Sequence, residues 1–210
     1  MKRRKRTLSR KRQALRWVAA LVLLVWLSHT TGAYCLTPVR VLRSLERDQL
    51  TGETEFLAQL SAPEPREGTV RLSGGEHAAI LATYHWSWRA GWHANLTYYV
   101  ERKPDWPINA GFMNSWHHDD TRTYYIFGSV ENPEVTQVDV CFDADDDTLD
   151  QTVCLTEKDW IKNEHGDRFF LCEIKPGYMV RSLNCSVKGY KADGTSVGVL
   201  ELTPVIPRWE

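Results

Sequence analysis

The chain has no Gly-x-Ser-x-Gly segment, the strained strand-to-helix turn that exposes a serine nucleophile. It has no glycine-rich loop that could cradle phosphates on backbone N–H groups. Its five cysteines include no Cys-x-x-Cys pair, so the usual tetrahedral zinc frame is missing. There is no His-Glu-x-x-His motif, no pair of carboxylates in a readable catalytic frame and no internal repeat. Low complexity is confined to an aspartate run near Asp143–Asp150. These absences weigh against nucleophilic catalysis, nucleotide chemistry and structural zinc, and no cofactor is expected.

Positive charge is scarce everywhere except at the start. Residues 1–16 carry nine basic side chains and no acidic one, which leaves 17 basic against 27 acidic residues in the remainder. An acidic body argues against nucleic-acid binding, because phosphate contacts need Lys and Arg. Composition is otherwise ordinary for a globular protein, with 42% hydrophobic and 25% charged residues, so bulk disorder is not expected.

The basic head meets an apolar run, Trp17–Leu27, that is eleven residues long. At 1.5 Å per residue it spans about 16 Å, short of a ~30 Å hydrocarbon core and typical of a signal-peptide apolar region. Formal charge does not return until Arg40, however, so Trp17–Leu36 is a twenty-residue charge-free stretch with Trp17 and Trp26 as interfacial anchors. Thr31 and Ala33 make a poor small-x-small cleavage site. A retained single-pass anchor in the cell membrane is therefore the expectation, with secretion after cleavage as the alternative. The nine positive charges would hold the N-terminus in the cytoplasm and place the body outside. Tyr34 before Cys35 rules out a lipoprotein signal, which needs a small residue there.

The body reads as mostly β in an α+β arrangement. Thr37-Pro38 opens a helix to about residue 50, carried by Val41, Leu42, Leu45 and Leu50. A second short helix is expected over Thr54–Leu60, then a turn through Pro63 and Pro65. Strands follow at 69–72, 77–86, 95–102, 106–113, 121–130, 135–142, 152–155, 168–174, 183–190 and 195–202, with Ala192-Asp193-Gly194 as a hairpin turn. In 135–142, Val138 and Val140 share one face while Gln137, Asp139 and Cys141 share the other. This spacing predicts a short helix packed on an antiparallel sheet, then an antiparallel β-sandwich-like region. The expected divisions are 1–36 (head and membrane segment), 37–114 and 115–210, the last two free to form one domain.

Several segments in order carry a resemblance. They are the basic head, the membrane segment, the Thr37-Pro38 helix, Tyr98-Tyr99-Val100-Glu101-Arg102-Lys103 followed by Trp106, Phe127-Gly128 with Asn132-Pro133-Glu134-Val135, and a closing Gly189-Tyr190-Lys191-Ala192-Asp193-Gly194. Together they resemble uncharacterised membrane-anchored or secreted β-rich proteins of Gram-positive bacteria. The resemblance covers most of the chain and implies no catalytic residue.

Four cysteines, Cys141, Cys154, Cys172 and Cys185, fall in expected strands at two equal spacings of thirteen. Outside the cytoplasm they could pair as Cys141–Cys154 and Cys172–Cys185, each loop contributing about 3 kcal/mol. Other connectivities, and free buried thiols, remain open. His117-His118-Asp119-Asp120 offers metal-ligating side chains, with His117, His118 and Asp120 the candidate ligands of a metal-dependent hydrolase. A solvated loop before strand 121–130 is the favoured reading, since adjacent strand residues point to opposite faces and no second ligand cluster completes a site. Asp143, Asp145 and Asp147 begin like a calcium loop, but Thr148 replaces the required glycine and Cys154 the bidentate glutamate. Asn95-Leu96-Thr97 and Asn184-Cys185-Ser186 match the glycosylation pattern by chance, lying in expected strands.

Nine tryptophans are many for 210 residues, and Trp86, Trp88 and Trp92 cluster with His85 and His93 around Gly91. Such rings either fill the core beneath the helix or form a surface for a protein or cell-wall glycan partner. The sequence thus suggests an exported, membrane-anchored, non-enzymatic binding module. A structural spacer with every tryptophan buried is the second reading, and the hydrolase the third.

Overall fold

A computed structural model describes residues 10–30, 34–61, 68–116, 122–144, 150–175 and 183–202. It contains two helices, α1 (Arg10–Thr30) and α2 (Pro38–Gln49), and twelve strands in three antiparallel sheets. The first sheet is a meander of β1 (Thr54–Ser61), β2 (Thr69–Gly75), β3 (Ala78–Ser87) and β4 (Gly91–Glu101). The second has the order β5 (Ile108–Trp116), β6 (Arg122–Val130), β10 (Arg168–Ile174), β9 (Ile161–Lys162). The third has the order β12 (Ser196–Leu202), β11 (Leu183–Lys191), β7 (Val135–Ala144), β8 (Asp150–Thr156).

These elements stack as four layers: α2, first sheet, second sheet, third sheet. The second sheet is buried on both faces, which explains why Tyr124–Phe127 of β6 runs large and ring-bearing or apolar without alternating. Tyr124 and Ile126 of β6 join Phe170, Cys172 and Ile174 of β10 against Val138, Val140, Phe142, Cys185 and Val187 of the third sheet. The intervening Tyr125 and Phe127, with Phe169, face Val70, Leu72, Ala79 and Leu81 of the first sheet. Each such large side chain withdrawn from water contributes roughly 1.5–3 kcal/mol. The boundary expected at 114/115 falls inside β5, which pairs along its length with β6, so the two regions share a sheet.

The Pro38 helix forms where expected, with Pro at its start and Thr37 extended, though the Thr37 side chain makes no capping hydrogen bond. It ends at Leu50 in the left-handed conformation (φ 55°), where Thr51 N–H donates to the Glu46 carbonyl. Val41, with Leu45 beside it, covers Ala82 and Tyr84 on the outer face of the first sheet. The short helix expected over 54–60 is instead β1, paired with β2 from Thr54↔Gly75 to Ser61↔Thr69. Leu, Ala, Gln and Glu favour helix locally, but pairing and burial of Phe56, Leu57 and Leu60 override that preference. A one-residue bulge at Leu57 hides the alternation that would have marked the strand.

The N-terminal segment also departs from expectation. Among the described residues, no helix is long and apolar enough to cross a membrane. The charge-free stretch is not one helix: α1 ends at Thr30, and Tyr34 N–H donates back to the Ser28 carbonyl at 2.9 Å. The expected disulfides are not formed, all five cysteines being free thiols. Across β7 and β8, Cys141 sits opposite Thr152 and Cys154 opposite Asp139, so the two are diagonal, and diagonal Cα atoms are about 7–8 Å apart. Cys172 and Cys185 are not hairpin neighbours but belong to different sheets, facing the same core.

Candidate functional site

The two ends of the first sheet carry the chain's most distinctive side chains. At one end, the β3–β4 hairpin turns through Trp88, Arg89 and Ala90. From His77 to Val100 the chain contains no acidic residue, and Arg89 is its single charged one. Ala82, Tyr84 and Trp86 alternate along β3 on the face toward α2. The helix covers the first two, and Trp86 runs beyond its cover. Trp86 is 47% exposed and Trp88 85% exposed, their rings meeting edge-on with centroids 5.1 Å apart. Trp92 pairs with Trp86 across the hairpin but is half-buried against α2's cluster, with the Arg71 guanidinium 5.8 Å from its ring. His85 and His93 stack behind them, centroids 5.7 Å apart.

A bulge sets which rings emerge. Ala82 pairs with Thr97, but Tyr84 pairs with Ala94, so β4 holds one extra residue there. Leu96, Tyr98 and Val100 therefore face the second sheet, while Trp92 and Ala94 face α2. The Thr83 hydroxyl accepts the Leu96 N–H at 3.0 Å and holds the irregularity.

The hairpin tip is tied to the end of α1. Cys35 forms a one-residue parallel bridge to Gly91: its N–H donates to the Ala90 carbonyl at 3.3 Å, and Trp92 N–H donates to the Cys35 carbonyl at 2.8 Å. Gly91 is required here, because its φ is +69° and a Cβ would stand 2.3 Å from the Cys35 carbonyl oxygen. Arg40 of α2 donates to the Thr30 carbonyl at 3.1 Å, placing a cation at the C-terminal end of α1.

At the opposite end stands an ionic network. Arg102, just after β4, spends all five N–H donors on protein. It grips Glu131 through two bonds (2.8 and 2.7 Å), Asp167 through two (3.0 and 3.1 Å) and the Gly75 carbonyl through one (2.7 Å). Its side chain is 8% exposed and that of Glu131 11%. Ser129 adds a 2.6 Å bond to Glu131, and Asn163 a 2.8 Å bond to Asp167. Burial pushes Glu131 up, but the hydrogen bonds from Arg102 and Ser129 outweigh it and hold the carboxyl below its usual range. The Arg102 hydrogen bond likewise holds Asp167 down and, against burial, the two carboxylates raise Arg102. Beside this network opens a cleft of about 700 Å³ whose wall includes Glu53, Glu55, Glu76 and Glu164. Among the described residues, no group of three or more His, Cys, Asp or Glu is arranged to hold a metal ion.

Of the residues singled out from sequence, Trp86 and Trp88 are brought together and exposed, and Trp92 lies beside them on the core side. His117, His118, Asp119 and Asp120 lie outside the described residues, as does the aspartate run over 145–149. None of the cysteines with a shifted pKa is made more reactive: burial pushes Cys172 and Cys185 up to about 12, and Cys154 upward as well. The Arg102 network had no sequence signal, since its members lie 29 and 65 residues apart. Comparison with protein-family models, with curated proteins and with solved structures finds no match.

Proposed function

We propose that the protein is an exported, membrane-anchored module whose β-rich body stands outside the cytoplasm and makes contacts without catalysing a reaction. The observation that carries this reading is α1. Its apolar residues point to every side, and those from Trp17 to Leu24 that are large are all at least 58% exposed. A helix that is apolar all round belongs inside a protein core or a bilayer. Among the described residues no layer packs over α1, and lipid is an apolar solvent that suits such a helix. The eleven-residue run reaches about 16 Å. Arg12 and Arg16 lengthen its reach by extending their stems toward one interface, Ser28 and Thr30 suit the other, and the bilayer thins to match. The basic head then sits in the cytoplasm.

The exposed Trp86–Trp88 pair supports a contact role over a structural spacer, whose tryptophans would be buried. Aromatic rings with open faces are suited to sugar faces, protein pockets or interfacial zones.

Expression of the full chain in a bacterial host tests the reading. It should pellet with membranes, keep residues 10–30 by mass spectrometry, and expose its body to protease added from outside. Leu23→Arg with Leu24→Arg should release it. A soluble cytoplasmic protein with its head intact would overturn the proposal. An N-terminus near Tyr34 would overturn the anchor and leave the export.

A further inference from the structure

We infer that the partner of the Trp86–Trp88 tip is the headgroup zone of the same bilayer that holds α1, so that the body is fixed to the membrane at two points. This rests on the proposed anchoring of α1 and adds what the aromatic hairpin touches.

The argument is one of continuity. If α1 lies in lipid, its C-terminal end, Ser28 to Thr30, lies at the interface on the body's side. That end is bonded to the hairpin in three steps: Ser28 carbonyl to Tyr34 N–H, Cys35 N–H to Ala90 carbonyl, and Cys35 carbonyl to Trp92 N–H. Trp88 precedes Ala90 by two residues, so its Cα is within about 7 Å of the bridge. The tip is thereby held close to the end of α1 and within reach of the headgroups around it.

The chemistry of the tip fits that position. Tryptophan is enriched at membrane interfaces, where an apolar ring and an N–H donor are both satisfied. Among the described residues, Trp88 and Trp86 are the exposed rings of the tip, with Arg89 on the hairpin and Arg40 at the end of α1. Both arginines suit anionic headgroups, and the hairpin offers no carboxylate to be repelled. Glu53, Glu55, Glu76 and Glu164 line the cleft at the far end of the same sheet, beside Asp167. A β3 of ten residues sets that end about 33 Å away, well outside the headgroup layer. Gly91 shows that the bridge is built into the chain, since any side chain there would collide with Cys35.

The test uses the full chain reconstituted into phosphatidylcholine–phosphatidylglycerol vesicles containing lipid brominated near the top of the acyl chains. Bromine quenches tryptophan at short range. Trp17 and Trp26 of α1 are quenched whatever the tip does. Wild type should show an added quenched component that disappears in Trp86→Phe/Trp88→Phe, so that quenched emission is roughly halved, from four rings to two. Trp106→Phe, at the far end, should leave it unchanged. Trp88→Phe alone gives an intermediate loss and serves if the double variant fails to fold. If the chain floats with vesicles but wild type and double variant are quenched alike, the tip does not touch lipid and this inference falls while the anchor stands. If soluble glycan fragments or a protein shift the tip's emission on vesicles where lipid does not quench it, that partner replaces the bilayer. If the chain does not float with vesicles at all, the anchoring proposal itself has failed.

Discussion

The two ends of the first sheet solve opposite problems. At the β3–β4 end, the described side chains of the hairpin reach outward: two exposed tryptophans and one arginine, on a hairpin paired through its backbone to Cys35. At the β2–β3 end, side chains reach inward: Arg102, Glu131 and Asp167 join three separate chain segments and leave no guanidinium donor free. A polar network that is fully satisfied fixes how layers dock, so the far end determines the stack's geometry. At the near end the exposed rings of Trp86 and Trp88 contribute little burial and are free to be used. Contact surfaces are expected where the fold can do without them.

The comparison breaks most sharply at Arg102. Arg102→Met removes the cation but leaves Glu131 buried and Asp167 partly so, with no counter-charge. Breaking a buried pair on one side costs about 3–5 kcal/mol. A urea titration should show the midpoint falling accordingly with an unchanged slope. A loss below 1 kcal/mol would mean that water already serves these carboxylates and that the far end is not what locks the layers.

Acid sharpens the same point with a smaller effect. Glu131 and Asp167 both have folded-state pKa values held below their unfolded ones. Their contribution is therefore complete above the unfolded carboxylate range of about 4 and is lost as pH falls through the lower folded values. Arg102 stays charged throughout. Unfolding free energy should decline between roughly pH 5 and pH 2. In Arg102→Met the two carboxyls lose their main reason to ionise, so that acid limb should flatten and the gap from wild type should narrow toward low pH. Parallel pH profiles for the two proteins would place the acid sensitivity elsewhere.

What could be read from the chain divides along the same line. Element type was legible wherever the periodic signal was local. Val138 and Val140 against Gln137, Asp139 and Cys141 do segregate by face, and Pro38 does start a helix. The strand over 121–130 was legible as such, but that both of its faces are buried emerges only from the four-layer stack. Bulges defeated the reading at Leu57 and near Ala94, because one extra residue shifts the alternation the eye depends on. Cysteine spacing misled, since equal gaps in sequence placed Cys172 and Cys185 in different sheets. The tryptophan cluster was visible as composition, but which rings emerge depends on how far α2 extends over β3. Nothing local announces Arg102, because its partners meet it through tertiary packing alone.

The smallest expected effect decides whether the tip is surplus to the fold. Trp88 is 85% exposed, and its ring meets that of Trp86, itself half in solvent. Truncating it removes an edge contact and no buried area to speak of. Surface changes of this kind stay within about 0.5 kcal/mol. Trp88→Ala should therefore leave the thermal midpoint of the detergent-solubilised chain nearly unmoved. Trp92→Ala should lower it clearly, because that ring packs beneath α2 and beside Arg71. The contrast matters more than either number. If Trp88→Ala destabilised as much as Trp92→Ala, the exposed ring would be part of the core's support. Its openness to solvent would then no longer argue for a surface meant to meet something else.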